Sequence, residues 1–198
     1  LKQIIYNIPG RSIVDLSLDS FKELNKISNI VAIKDASNDI SRPLLMRTFM
    51  KKDFNYLSGE DGTIAGFLAQ GGHGCITVVG NVAPKLTSEL HKSWSLKQWK
   101  KFDKINLQLA PLSKVLFQEP NPTPTKYALS LMGFCTEEVR APLIALSAKT
   151  KKEIKNIKQK IFYILQNINQ YDSQSLSFLG YIYQVFNINN EHFCKKLL

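Results

Sequence analysis

The strongest constraint on what this chain can fold into is a recurrence within its first 80 or so residues. A short β-branched apolar run, a break marked by glycine or proline and a stretch of helical periodicity follow one another four times, at intervals of about 25 residues. Such alternation predicts parallel strands joined by right-handed crossovers, an α/β architecture. A repeat of this length suits half of an eight-stranded (β/α) barrel, in which functional groups occupy the loops at the C-terminal ends of the strands.

The first run, Ile4 to Ile8, is closed by Pro9-Gly10, and the loop that follows carries Arg11. Leu16 to Ile27 reads as a helix through Leu16, Leu18, Phe21, Leu24 and Ile27, with Asp19 or Ser20 as its cap. The second strand, Ile30 to Ile33, ends at Lys34. A helix from Ser41 to Met50 is expected to start at Pro43 and to bury Leu44, Leu45, Thr48 and Phe49. Phe54 to Ser58 is the third strand, Thr63 to Ala69 the third helix, and Cys75 to Val78 the fourth strand. From Ala83 the pattern is helical: Leu86, Leu90 and Trp94 mark one helix and Trp99 to Leu116 a longer one. The proline-rich segment Glu119 to Pro124 is expected to be extended, Thr125 to Met132 helical, and Lys149 to Gln166 a last, basic helix. The organisation expected is thus a partial barrel over 1–82, the last barrel helix with a helical domain over 83–166, and an atypical tail over 167–198, rich in asparagine, glutamine and aromatic residues. The chain begins with Leu1 in what already reads as a strand, so its start is expected to lie inside a fold.

The net charge of +10 invites a nucleic-acid function, but half of the excess lies in the last quarter of the chain. There, Lys149, Lys151, Lys152, Lys155, Lys158 and Lys160 alternate with Ile154, Ile157 and Ile161, the pattern of a solvated helix face. No nucleic-acid-binding motif accompanies it, so that class is the weakest. No apolar run has the length of a membrane span and no signal peptide opens the chain, so a cytoplasmic protein is expected. Cys75, Cys135 and Cys194 have no paired spacing and read as buried or incidental thiols, forming neither a disulfide framework nor a metal site.

Lys34 ends an unbroken apolar strand, where a parallel sheet opens into its ligand crevice. On spacing alone it is either a site lysine or a strand-end lysine turned to solvent. Tyr6, Arg11, Gly59 and Ile76 stand at or next to the corresponding ends of the other strands. His73, among glycines and without an acidic partner at useful spacing, reads as structural.

Tyr6-Asn7-Ile8-Pro9-Gly10-Arg11-Ser12, followed one βα unit later by Ile33-Lys34-Asp35-Ala36-Ser37, resembles the paired signature of the dihydrodipicolinate synthase family. Leu57 to Asp61, Gly71 to Thr77 and Glu119 to Lys126 resemble further family segments in the same order. The resemblance covers roughly residues 1–165 and implies the C-terminal half of a (β/α)8 TIM barrel, strands five to eight, followed by a helical region. It implies a pyruvate-dependent class I aldolase-type lyase, the 4-hydroxy-tetrahydrodipicolinate synthase of lysine biosynthesis, which condenses pyruvate with L-aspartate 4-semialdehyde. By the same resemblance Lys34 is the Schiff-base nucleophile and Tyr6 a proton relay. Arg11 binds the aldehyde's carboxylate, and Gly59 and Ile76 line the pyruvate pocket. The covalent lysine–pyruvate adduct stands in place of any external cofactor, and a homo-oligomer, dimer or tetramer, is implied for a full-length chain. The alternatives are an inactive remnant or split-enzyme half of the family, and another pyruvate-dependent aldolase or lyase resembling the N-acetylneuraminate lyases. Gly10-Arg11-Ser12 favours the synthase over the latter. The family's threonine pair and second tyrosine have no counterpart here.

Overall fold

Four strands, β1 (Gln3–Asn7), β2 (Ile30–Asp35), β3 (Asn55–Ser58) and β4 (Gly74–Cys75), pair in sequence order, and every pairing is parallel. The structure, a computed structural model, describes residues 1–165 and divides them into two units, one of Leu1–Thr77 and one from Val78 onward. The tail expected over 167–198, with Cys194, lies outside the described residues.

In the first unit the crossovers carry α1 (Pro9–Ser12), α2 (Leu18–Leu24), α3 (Arg42–Met46) and α4 (Ile64–Ala69). Phe21, Ile30, Ile33, Met46, Met50, Phe54, Tyr56 and Phe67 form one buried cluster, with Ile5, Leu16, Leu18 and Leu24 packed against it. Period-two alternation therefore assigns the faces of the sheet. Ile5, Ile33 and Tyr56 occupy the helix-covered face, so Tyr6, Lys34 and Leu57, their neighbours along the strands, belong to the opposite one.

Several local expectations give way. Pro9-Gly10 opens a single helical turn instead of a loop, because proline's fixed φ suits the first turn and Ile13 closes it at φ 63°. The cap of α2 is Ser17, whose side chain accepts the Ser20 amide. In α3 the buried residues are Arg42, Pro43 and Met46, whereas Leu44 and Leu45 are exposed. Pro43, Met46 and Met50 make an equally apolar stripe, and the pull of Asp15 and the buried Asp35 on Arg42 selects it. β4 is shorter than expected: the Ile76 amide still donates to the Ser58 carbonyl at 2.9 Å, but the Thr77 hydroxyl then turns to Asp61.

The second unit holds α5 (Pro84–Ser95), α6 (Trp99–Leu116), α7 (Thr123–Ser130) and α8 (Ala148–Leu165). Phe102, Ile105, Leu109 and Leu112 recur at helical spacing and are all buried. The Glu119–Pro124 segment is bent, not extended. The Thr123 amide closes a turn on the Pro120 carbonyl at 3.1 Å, and Pro124 lies in the first turn of α7, where its missing amide costs nothing. Ile154 is buried while Lys152 and Lys155 are exposed, as an amphipathic α8 requires. Among the described residues no helix is long and apolar enough to cross a membrane.

Burial lowers the pKa of His91, on α5, from 6.5 to about 4. The folded chain thus favours the neutral imidazole, while the unfolded chain takes up the proton first as pH falls. The stability this supplies is complete above pH 6.5 and is lost as the pH drops from 6.5 toward about 4. Chemical denaturation should show His91→Gln losing less stability than the wild type across that window. Parallel curves would contradict the assignment.

Candidate functional site

The register of the sheet sets two rows across the C-terminal ends of the strands. Tyr6 pairs with Lys34, Lys34 with Leu57 and Leu57 with Gly74. One residue further, on the helix-covered face, Asn7 pairs with Asp35 and Asp35 with Ser58.

In the first row Lys34 Nζ lies over the Tyr6 ring, 4.1 Å from its centroid, a cation–π contact. Tyr6 is 49% exposed and Lys34 half-buried, so the amine remains reachable from the open face. Gly59 closes the site from the next strand. Its amide donates to the Asp35 carbonyl at 2.6 Å, and a Cβ there would stand 2.8 Å from Ala36 Cβ and 3.2 Å from Lys34 Cε. The absent side chain is therefore a packing requirement at the lysine itself.

Glu60, which sequence reasoning passed over, follows directly. Its amide donates to the Ser58 hydroxyl, which in turn donates to the Glu60 carbonyl, both at 3.0 Å, so the backbone is clamped. Burial raises the Glu60 pKa, the Asp61 charge adds to this, and the charges of Lys34 and Arg11 oppose it. The carboxyl is thus within electrostatic reach of both cations. Its only sequence signal is its place in Gly59-Glu60-Asp61, where a carboxylate ordinarily reads as a solvated loop group.

Arg11 is exposed on α1, whose turn is closed by the amides of Arg11 and Ser12 on the Ile8 carbonyl, each at 2.9 Å. Ile76 stands past the end of β4, tied through its amide to Ser58 and two strands away from Lys34. The structure thus sets the Tyr6 ring against the Lys34 amine, packs Gly59 close beside Lys34, leaves Arg11 on the turn after β1 with its charge felt at Glu60, and sets Ile76 past the end of β4. Cys75 is buried, and burial pushes its thiol pKa up, which keeps it protonated and inert. His73 accepts the Tyr56 amide on Nδ1 at 3.0 Å and stacks on the Tyr56 ring, and burial together with the Arg47 charge lowers its pKa.

The second row is buried and polar: Asn7, Asp35 and Ser58 are 2%, 5% and 1% exposed. Asn7 Nδ2 donates to Asp35 Oδ1 at 3.1 Å. Burial raises the Asp35 pKa, against the opposing charge of Arg42. Chemically, the open face offers an amine for a carbonyl carbon and, on the adjacent turn, a guanidinium with the fork geometry of a carboxylate receptor.

Comparison with known proteins places the chain. The Dihydrodipicolinate synthetase family profile matches residues 1–161. A 4-hydroxy-tetrahydrodipicolinate synthase of Bradyrhizobium diazoefficiens is 45% identical over 153 residues, 77% of this chain and 52% of the relative. That of Afipia carboxidovorans is 47% identical over 152 residues, 77% of this chain and 51% of the relative. The chain therefore spans about half the length of the curated relatives it matches. The crystal structure of dihydrodipicolinate synthase from Aquifex aeolicus superposes with a TM-score of 0.78 at 33% identity, covering 81% of this chain and 55% of that one. The α/β architecture with its parallel sheet is that of TIM-barrel neighbours.

Gly59→Ala should lower stability by about 1–3 kcal/mol, because the new methyl meets the end of β2. Denaturant unfolding measures it, and an unchanged midpoint would contradict the close approach.

Proposed function

This chain belongs to the dihydrodipicolinate synthetase family, and on that premise we propose that it carries the Schiff-base half of a 4-hydroxy-tetrahydrodipicolinate synthase. Residues 1–82 supply strands five to eight of a (β/α)8 barrel with their crossovers, and residues 83–166 the last barrel helix and a helical domain. The substrates are pyruvate and L-aspartate 4-semialdehyde, and the completed enzyme is a cytoplasmic homo-oligomer, dimer or tetramer.

The observation that carries this reading is the pairing of Tyr6 with Lys34 at the strand ends, with the amine 4.1 Å from the ring centroid. Lys34 Nζ, as the neutral amine, attacks the ketone carbon of pyruvate. The carbinolamine loses water, and the C=N bond replaces C=O. Loss of a methyl proton gives the enamine, whose carbon attacks the aldehyde, while Tyr6 relays the protons these steps exchange. Arg11 receives the carboxylate of the aldehyde substrate through two parallel hydrogen bonds. Gly59 and Ile76 line the pyruvate pocket partly through their backbone groups, and the absent side chain of Gly59 permits close approach. The proposed chemistry calls for no external cofactor or metal, because the protonated C=N bond formed between Lys34 and pyruvate takes up the electron pair released when the methyl proton leaves.

Incubation with pyruvate and borohydride, followed by peptide mass mapping, should place a reduced adduct on Lys34. An unmodified Lys34 would overturn the proposal. Arg11→Ala should retain that adduct while raising KM for the aldehyde, by roughly ten- to hundredfold for a lost charged hydrogen bond. Equal losses in adduct formation and aldehyde use would remove Arg11 from its role.

A further inference from the structure

The turn that bears Arg11 has almost nothing apolar to hold it. No residue of α1 is buried, and Ile13 and Val14, which follow it, are 91% and 68% exposed. Burial of apolar surface, the usual means of fixing a crossover, is missing over this stretch.

What fastens it lies at its end, where Leu16 packs against the core cluster and a set of polar contacts holds Asp15 and the Leu16 backbone. Arg42 Nη2 donates to Asp15 Oδ2 at 2.6 Å and Arg42 Nη1 to the Leu16 carbonyl at 2.7 Å. Asn7 Nδ2 donates to Asp15 Oδ1 at 2.8 Å, and Asn7 Oδ1 accepts the Leu16 amide at 3.2 Å. Asp15 and Leu16 are thus gripped on both sides, by an arginine of α3 and an asparagine of β1. The grip is stiff because Arg42 is itself fixed. Its side chain is 9% exposed, and Nε forms an ion pair with Asp35 Oδ2 at 3.5 Å without a hydrogen bond. A buried guanidinium with two of its three nitrogens spent on Asp15 and Leu16 reads as an arginine committed to holding this segment. The fork is required: a lysine could not serve a carboxylate and a carbonyl with parallel donors.

We infer that Arg42 and Asp15 are positioning residues that fix the Arg11-bearing turn above the Lys34 site and so govern recognition of the second substrate's carboxylate, without sharing in Schiff-base formation. The inference rests on the function proposed above. It separates two duties in one network: Asp35 and Asn7 lie beneath the Tyr6–Lys34 row, whereas Asp15 controls the turn alone. Asp15 is the cleaner handle, because its side chain is 46% exposed and its loss leaves the buried arginine next to Asp35.

The test uses the full chain with Asp15→Asn, which keeps shape and one acceptor but removes the charge, and Arg42→Lys as a second variant. Amide hydrogen exchange should quicken about tenfold at residues 11–16 in Asp15→Asn, with β2 amides unchanged. Borohydride trapping of pyruvate on Lys34 should match the wild type, while KM for the aldehyde rises about tenfold at unchanged kcat. In an Arg11→Ala background, Asp15→Asn should add nothing to that KM, since it acts through Arg11. Unchanged exchange, equal loss of adduct and aldehyde use, or additive effects on KM would each overturn the inference. A wild-type chain that forms no adduct would overturn the proposed function and the substrate duty with it, whereas the exchange result decides the tether independently.

Discussion

Parallel pairing of β1 with β2 is the constraint on which the rest of the first unit depends. Because the side-chain period along a strand is two, one register decides at once that Tyr6 stands beside Lys34 on the open face and Asn7 beside Asp35 on the covered one. A slip of β2 by one residue would bury the lysine among Phe21, Met46 and Tyr56 and expose Ile33 and the acid. The packing of Ile33 in the helix-covered cluster makes that slip costly. The chemistry of the open face is therefore secured by burial on the other.

Much of this was legible in the sequence, for identifiable reasons. The four strands and the long α6 follow from apolar periodicity, and periodicity reports burial directly. Tyr6, Lys34 and Gly59 stand at strand ends because each run closes there. What periodicity could not supply is the competition between equivalent stripes. α3 offers Leu44 and Leu45 on one side and Pro43 and Met46 on the other, and the choice falls to Arg42, drawn inward by acids from two other segments. Proline was likewise misread where it matters by position. Pro9 and Pro124 stand at helix starts, where they initiate structure instead of extending it. Glu60, Asp15 and Arg42 escaped notice because their roles arise from contacts between segments far apart in sequence, which no local pattern encodes.

The site also shows two ways of holding a functional side chain. Lys34 is held by a strand whose neighbours are buried, so its placement follows from the core. Arg11 stands on a turn without buried residues, fixed at one end by charge-assisted hydrogen bonds. Under the proposed function, the first arrangement suits a nucleophile that meets a small ketone at a fixed point, and the second a receptor for the far end of a longer substrate.

The central claim is that Lys34 forms an enamine with pyruvate, and enamine formation exchanges the methyl protons of pyruvate with solvent. Proton NMR of pyruvate in deuterated buffer follows that exchange without requiring the aldehyde. The account predicts that the chain accelerates loss of the methyl signal and that Lys34→Arg abolishes the acceleration. Exchange at the rate of buffer alone, or exchange that survives Lys34→Arg, would contradict it.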